Sequence, residues 1–223
     1  METVAAESEA HGLLGELDAL VSKLTATDLT ALSGEQLLDC TRDFERVTRR
    51  SVTVRHAVVA ELDSRHAAAE TGHHSTAALL SDLLRIDPGQ ASRRVRDAGE
   101  FGPRRGLGGE PLSPLMPQTT RALDAGEIGI EHARTISDLF DAIPGHDTNA
   151  EQAIEAAALH VAAACPPYRL RQWCVQAAAR LDQDGTEPRE QAQQRQRGLN
   201  VIDQPDGTAK LTGQLTPYAA ATL

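Results

Sequence analysis

Apolar residues recur at helical spacing along almost the whole chain. The first run, Leu13, Leu14, Leu17, Leu20, Val21 and Leu24, predicts an amphipathic helix with an acidic outer face. A break follows at residues 27–33. Ser33 with Gln36 carries a capping-box signal, and Leu37, Cys40, Phe44, Val47, Val54, Val58 and Leu62 then follow at spacings mostly of three and four. That stripe predicts one long helix to about Ala69, ended by Gly72. Its length beside a short first helix implies a packed hairpin or a partner helix from a second subunit. Core packing is the preferred reading of the two.

The next stretch, residues 75–105, reads as helix, tight turn and second helix. Ser75 is a good N-cap, Ala78, Leu79, Leu83 and Leu84 recur at helical spacing, and Ile86 closes the first helix. Asp87-Pro88-Gly89-Gln90 restarts the chain, with Asp87 as cap, Pro88 at the first helical position and Gln90 completing a capping-box pattern. Ala91, Val95 and Ala98 give the second helix a narrow apolar seam. Arg93, Arg94 and Arg96 point away from it, and Arg104 and Arg105 follow. This layout is that of a helix-turn-helix, whose second helix can lie in a DNA major groove. A capped turn between two short helices also marks any corner of an all-helical protein, and exposed arginines often only solvate a face.

Residues 102–117 are rich in Gly and Pro and predict a connecting loop; Arg105-Gly106-Leu107-Gly108-Gly109 lacks the strand and Gly-Lys-Ser/Thr of a P-loop. Helices are expected at 118–124 and 130–142, with Ile128, Ala133, Ile136 and Phe140 facing inward and Pro144-Gly145 as the stop. An alanine-rich helix over 150–164 is broken by Pro166-Pro167. A helix over 168–181 then places Leu170, Trp173, Cys174 and Ala177 on one side. Residues 199–202 and 209–212 flank Pro205-Asp206-Gly207 and predict a β-hairpin. Thr216 and Pro217 open a further helix that stops in its second turn, as a shortened reading frame would.

The predicted fold is mainly α: a multi-helix bundle containing a helix-turn-helix-like pair, with a short C-terminal β-hairpin. Its expected parts are an acidic N-terminal helix (1–32), a helical domain (33–185) with the helix-turn-helix-like segment at 75–99, and a region (186–223) of linker, hairpin and truncated helix.

Composition fits helices. Aromatic residues make up 3% of the 223, too few for the core of a sandwich or barrel. Cys40, Cys165 and Cys174 have no CxxC spacing and read as small buried hydrophobes of a reducing compartment. The acidic N-terminus has no secretory signal and no apolar run reaches membrane-spanning length, so a cytoplasmic protein is expected, with no membrane partner. The net charge of −10 argues against non-specific coating of DNA, yet residues 85–105 hold six arginines against Asp87, Asp97 and Glu100. A local positive patch on an acidic body suits a site-directed contact.

Four ordered segments carry a family likeness: GHHSTAALLSDLLRIDPGQASRRV (72–95), GEPLSPLMPQTTRALDAGEIGIEHARTI (109–136), RLDQDGTEP (180–188) and RGLNVIDQPDGTAKLTGQLTPYAAATL (197–223). They resemble the actinobacterial 13E12 repeat family, whose shared region is domain of unknown function 222. The resemblance implies a link to DNA and mobile elements. Full-length relatives continue into a C-terminal HNH endonuclease domain, whose catalytic residues would lie past Leu223.

Catalytic chemistry finds no foothold in the residue spacing. His73 and His74 are adjacent and diverge, and Glu131-His132 lacks the second histidine of an HExxH helix. His56, His66, His132 and His160 show no paired spacing. Asp182, Asp184 and Gly185 echo a calcium loop, but Arg180 and Gln191 occupy its first and last positions. The expectation is a non-enzyme without cofactor or metal. Two functions remain open. In one, Arg93, Arg94 and Arg96 contact phosphates and guanine edges of double-stranded DNA while Arg104 and Arg105 track the backbone. In the other, the chain is a protein-interaction scaffold, a homodimer through the 37–62 helix. A non-functional mobile-element remnant is the third outcome.

Overall fold

The computed structural model describes residues 2–106, 108–143, 148–181, 198–203 and 208–214. The stop at Pro144-Gly145, the Asp182–Gly185 turn, the Pro205-Asp206-Gly207 turn and the helix start at Thr216 lie outside them.

Ser33 sets the start of the longest helix. Its hydroxyl accepts from the Gln36 N–H at 3.3 Å while Gln36 Oε1 accepts from the Ser33 N–H at 2.8 Å, the capping box expected there. The seven residues before it are fixed partly by Asp28, whose Oδ1 accepts from the hydroxyl (2.7 Å) and N–H (2.9 Å) of Thr30. Those bonds, the hydroxyl's first, hold the Asp28 carboxyl below its ordinary value. Helix α1 is Glu2–Ala26 and α2 is Gly34–Ser64.

The helix expected to run to about Ala69 breaks earlier. Arg65 caps α2, His66 takes left-handed backbone (φ 54°), and a short α3, Ala67–Glu70, follows before Gly72 (φ 79°). The left-handed residue ends the i→i+4 ladder, and Asp63 ties the end of α2 to the helix after α3 by accepting from the Thr76 hydroxyl at 2.5 Å. Two further helices, α4 (Thr76–Leu84) and α5 (Pro88–Phe101), pack on each other across a short corner. The predicted loop after them contains a miniature antiparallel ladder, β1 (Arg104–Arg105) with β2 (Pro111–Leu112). Then come α6 (Pro117–Ala125), α7 (Ile130–Ala142), α8 (Thr148–Ala162) and α9 (Pro167–Leu181). Last are β3 (Gly198–Asp203) and β4 (Ala209–Gln214), the two strands of the expected hairpin, antiparallel with Val201 opposite Leu211. The fold is mainly α.

The chain divides into two units, Met1–Ser113 with Arg121–Gly129, and Pro114–Thr120 with Ile130–Leu223. In the first, α5 packs against both α2 and α4. Its core joins Val59, Leu80, Ala91 and Ala98, flanked by Ala60, Leu62, Ala77, Ile86 and Val95. Gly102 ends α5, where a Cβ would lie 2.3 Å from the Ala98 carbonyl oxygen and 3.2 Å from that of His56 in α2. The tip of α6 is held by α2: Arg50 Nε donates to the Asp124 carbonyl at 3.1 Å and Arg49 Nη1 to that of Glu127 at 3.2 Å. Arg50 thereby satisfies a carbonyl left free by the end of α6, and Arg49 holds the turn that follows.

In the second unit α7 packs on α9, and α8 contacts both. Ala133, Ile136 and Leu139 of α7, Ala158 and Ala162 of α8, and Leu170 and Cys174 of α9 are buried. Phe140 is only half-buried, because Leu139 takes the inward position. His132 Nε2 donates to the Cys165 carbonyl at 2.9 Å, which sets its tautomer. The buried Glu155 accepts from the Thr119 N–H in the first turn of α6 at 2.7 Å.

Two sequence expectations need correction. The apolar stripes of α1 and α2 are not core: all six α1 positions are exposed, as are Leu37, Phe44, Val47, Val54 and Val58. Only Leu62, at the far end of the stripe, joins the packed cluster. The cysteines also divide, since Cys174 is buried and Cys165 part-buried, but Cys40 on the open side of α2 is exposed.

Candidate nucleic-acid interface

The corner between α4 and α5 is built by short-range bonds. Ser75 accepts from the Ala78 N–H at 3.2 Å and starts α4 as expected. Leu79 and Leu80 anchor that helix, while Leu83 and Leu84 are exposed. Arg85 ends it in left-handed backbone (φ 54°). A reciprocal clasp then fixes the turn: the Ile86 N–H donates to the Ser81 carbonyl at 3.1 Å, and the Ser81 hydroxyl donates to the Ile86 carbonyl at 2.7 Å.

Asp87 starts α5 differently from its predicted role. Its side chain makes no cap bond, and no capping box forms with Gln90; instead the Asp87 carbonyl accepts from the N–H groups of Gln90 (2.9 Å) and Ala91 (3.0 Å). Pro88, at the first helical position, has no N–H to leave unsatisfied and its fixed φ suits the start. Ala91, Ala98 and Phe101 bury the inner side of α5, with Val95 part-buried beside them. Ala91 and Ala98 are small enough to let α5 lie close on its neighbours.

On the outer side, Gly89, Ser92, Arg93 and Arg96 are exposed. At about 100° per residue they fall on one face of the helix. Arg94 lies on a different side and is part-buried. Arg93, Arg94 and Arg96 have no ion-pair partner among the described residues. The arginines of α2 differ. Arg42 pairs with Asp39 at 2.6 Å, Arg46 with Asp43 at 3.3 Å and Arg49 with Glu45 at 2.9 Å, each within its own helix.

Arg104 and Arg105 are committed in part to the small ladder that carries them. Arg104 Nη1 donates to the Ser113 carbonyl at 3.2 Å and Arg105 Nη1 to that of Gly109 at 3.3 Å. Arg105 also borders an open cavity of about 600 Å³, lined by Val58, Glu61, Leu62 and Arg65 of α2 and its cap. Arg85 sits exposed at the αα corner, in a left-handed turn that the residue pattern does not announce. Among the described residues no three His, Cys, Asp or Glu side chains gather as a metal site would require. No described helix is long and apolar enough to cross a membrane.

The family described as Domain of unknown function (DUF222) matches residues 38–223. The chain belongs to this family. An uncharacterised protein of Mycobacterium bovis, Mb1179c, is 32% identical over 217 residues, covering 96% of this chain and 47% of its own length. The uncharacterised protein Rv1945 of Mycobacterium tuberculosis matches to the same extent. A third, Rv3466 of the same species, is 36% identical over 124 residues, 56% of this chain and 55% of its own. The chain spans about half the length of the first two relatives. No solved structure matches it.

Proposed function

We propose that this DUF222 chain is a DNA-binding module, cytoplasmic and without catalytic chemistry of its own, of the kind that accompanies an HNH endonuclease in 13E12-repeat proteins. The observation that carries the reading is the arginine face of α5, without ion-pair partners among the described residues, beside Arg42, Arg46 and Arg49 of α2, each of which is paired with a carboxylate. A net charge of −10 makes this local positive face stand out electrostatically. Gly89 and Ser92 near the start of α5 are small, so a phosphate or base edge could approach the helix backbone, whose N-terminal end favours negative charge. Arg93 and Arg96 would then reach phosphates or guanine edges, with Arg94, Arg104 and Arg105 following the backbone.

The test is a fluorescence-anisotropy titration against mixed-sequence duplex DNA at two salt concentrations, for the native chain and for Arg93→Ala/Arg94→Ala/Arg96→Ala. Salt-sensitive binding that the triple variant loses supports the proposal. Absence of binding by the folded native chain, or binding unchanged in the triple variant, overturns it.

A further inference from the structure

Helix α2 has two apolar sides, and among the described residues only one is used. His56 and Val59 are buried on the side that packs on α5, while Arg46, Arg49 and Arg50 meet the end of α6. Leu37, Cys40, Phe44, Val47, Ser51, Val54 and Val58 fall on the opposite side, and all seven are exposed, Phe44 at 62% and Val54 at 59%. Their spacing is 3-4-3-4-3-4 without interruption, a strict seven-residue repeat over three heptads. On a helix of 3.6 residues per turn they lie within an arc of about 100° and extend about 33 Å. A narrow stripe with this period is the seam of a coiled coil, whereas a helix packed in a globular core shows a broader one.

We propose that α2 pairs with α2 of a second copy as an antiparallel coiled coil, a reading that does not depend on DNA binding. Charge at the flanking positions selects both partner and direction. With Leu37, Phe44, Ser51 and Val58 at the a positions and Cys40, Val47 and Val54 at d, Asp43 and Arg50 stand at g and Arg55 at e. A parallel pair would set Asp43 against Thr48 of the other copy and offer Arg50 no carboxylate at the facing e position. An antiparallel pair centred between Phe44 and Val47 sets Asp43, whose exposed carboxylate also pairs with Arg46 of its own helix, against Arg50 of the other copy, whose Nε holds the Asp124 carbonyl while Nη1 and Nη2 carry no bond among the described residues; the contact occurs twice by symmetry. The same register stacks Phe44 on Val47, Leu37 on Val54 and Cys40 on Ser51, so every apolar seam residue from Leu37 to Val54 meets a seam position of the second copy. Self-complementarity of this kind is what a two-fold interface demands.

Sedimentation of the full chain over a micromolar concentration series tests the pairing. A species of twice the 23.9 kDa chain mass is expected. Phe44→Glu should weaken it by about a hundredfold or more, since a carboxylate would be buried at the seam. Because Phe44 is exposed within the chain, helical circular dichroism and the melting temperature of the monomer should stay unchanged. Orientation is read by mild oxidation of Ser51→Cys, which should give a disulfide-linked dimer that disappears when Cys40→Ser is added. A chain that stays monomeric, or a dimer indifferent to Phe44→Glu, overturns the proposal. So does a dimer cross-linked through Cys40 alone in the native chain, which would be parallel. An intramolecular disulfide between Leu20→Cys and native Cys40, which a hairpin of α1 on α2 would set opposite one another, would overturn it in favour of α1 folding onto the same seam.

Discussion

The carboxylate of Glu155 accepts a hydrogen bond from the backbone N–H of Thr119 at 2.7 Å, with both residues buried. The bond satisfies a donor that the start of α6 cannot pair within its own helix, and places negative charge near the positive end of that helix. Glu155→Ala should therefore cost about 1–3 kcal/mol, because it strands a buried N–H. Glu155→Gln keeps an acceptor and should cost less. Urea denaturation of the two variants checks the order.

Gly126 combines left-handed backbone (φ 74°) with a close approach to α2. A Cβ there would lie 2.7 Å from the Arg46 carbonyl oxygen and 2.8 Å from its Cγ. Gly126→Ala should destabilise by about 1–3 kcal/mol, from backbone strain and the displaced neighbour together. Gly129 is the control: a Cβ there meets only the Arg49 side chain at ordinary contact distance, 3.7 Å or more. Thermal melts should separate the two alanine variants clearly.

Burial is the main reason the Cys174 thiol is pushed up to about 11, with Asp138 and Cys165 adding to it. At neutral pH, and at a dilution that keeps the chain monomeric, a thiol reagent should modify exposed Cys40 first and leave Cys174 intact, as peptide mapping would show. The sign for stability follows from linkage. The unfolded chain releases this proton near 9 and the folded chain near 11, so stability is intact below pH 9 and falls as pH rises through that window. The loss is on the order of 2–3 kcal/mol. Cys174→Ala should abolish this component of the alkaline loss, whatever its own cost.

Arg85 occupies a left-handed position where glycine is the cheaper residue. Arg85→Gly should raise stability by up to about 1 kcal/mol. If the corner contacts DNA, the same variant should bind more weakly and with a shallower dependence on salt, by about one unit of slope if Arg85 holds one phosphate. Stability and binding moving in opposite directions would separate a charge retained for contact from one that merely caps a turn.

Much of this was legible in the residues. Ser33 with Gln36, Ser75 and Pro88 signalled three helix starts through chemistry confined to one turn, and the hairpin strands followed from their pattern. The failures share a cause in tertiary context. The 3-4 spacing marks the stripe at Leu37, Phe44 and Val54 as a helical seam, but it does not show that the rest of the chain leaves this seam exposed while His56 and Val59 face in. His66 breaks α2 without a Gly or Pro to announce it. Asp87 has the right identity for a cap, yet its carbonyl, not its side chain, takes the bonds. The arginine cluster is visible as composition, but the fold alone sets that Arg93, Arg94 and Arg96 meet no carboxylate among the described residues, unlike Arg42, Arg46 and Arg49.

The bonds from Arg49 and Arg50 to the end of α6 span 78 and 74 residues of sequence, whereas the Ser81–Ile86 clasp closes over five. Such a span pays its loop entropy before any contact rewards it, although each doubling of loop length adds only about 0.6 kcal/mol. Folding of the first unit should accordingly begin in the local α4–α5 corner and end with the arrival of Asp124–Glu127 at α2. A last-formed contact contributes little to the folding transition state. Weakening it would leave the rate of folding nearly untouched and let the native chain open sooner.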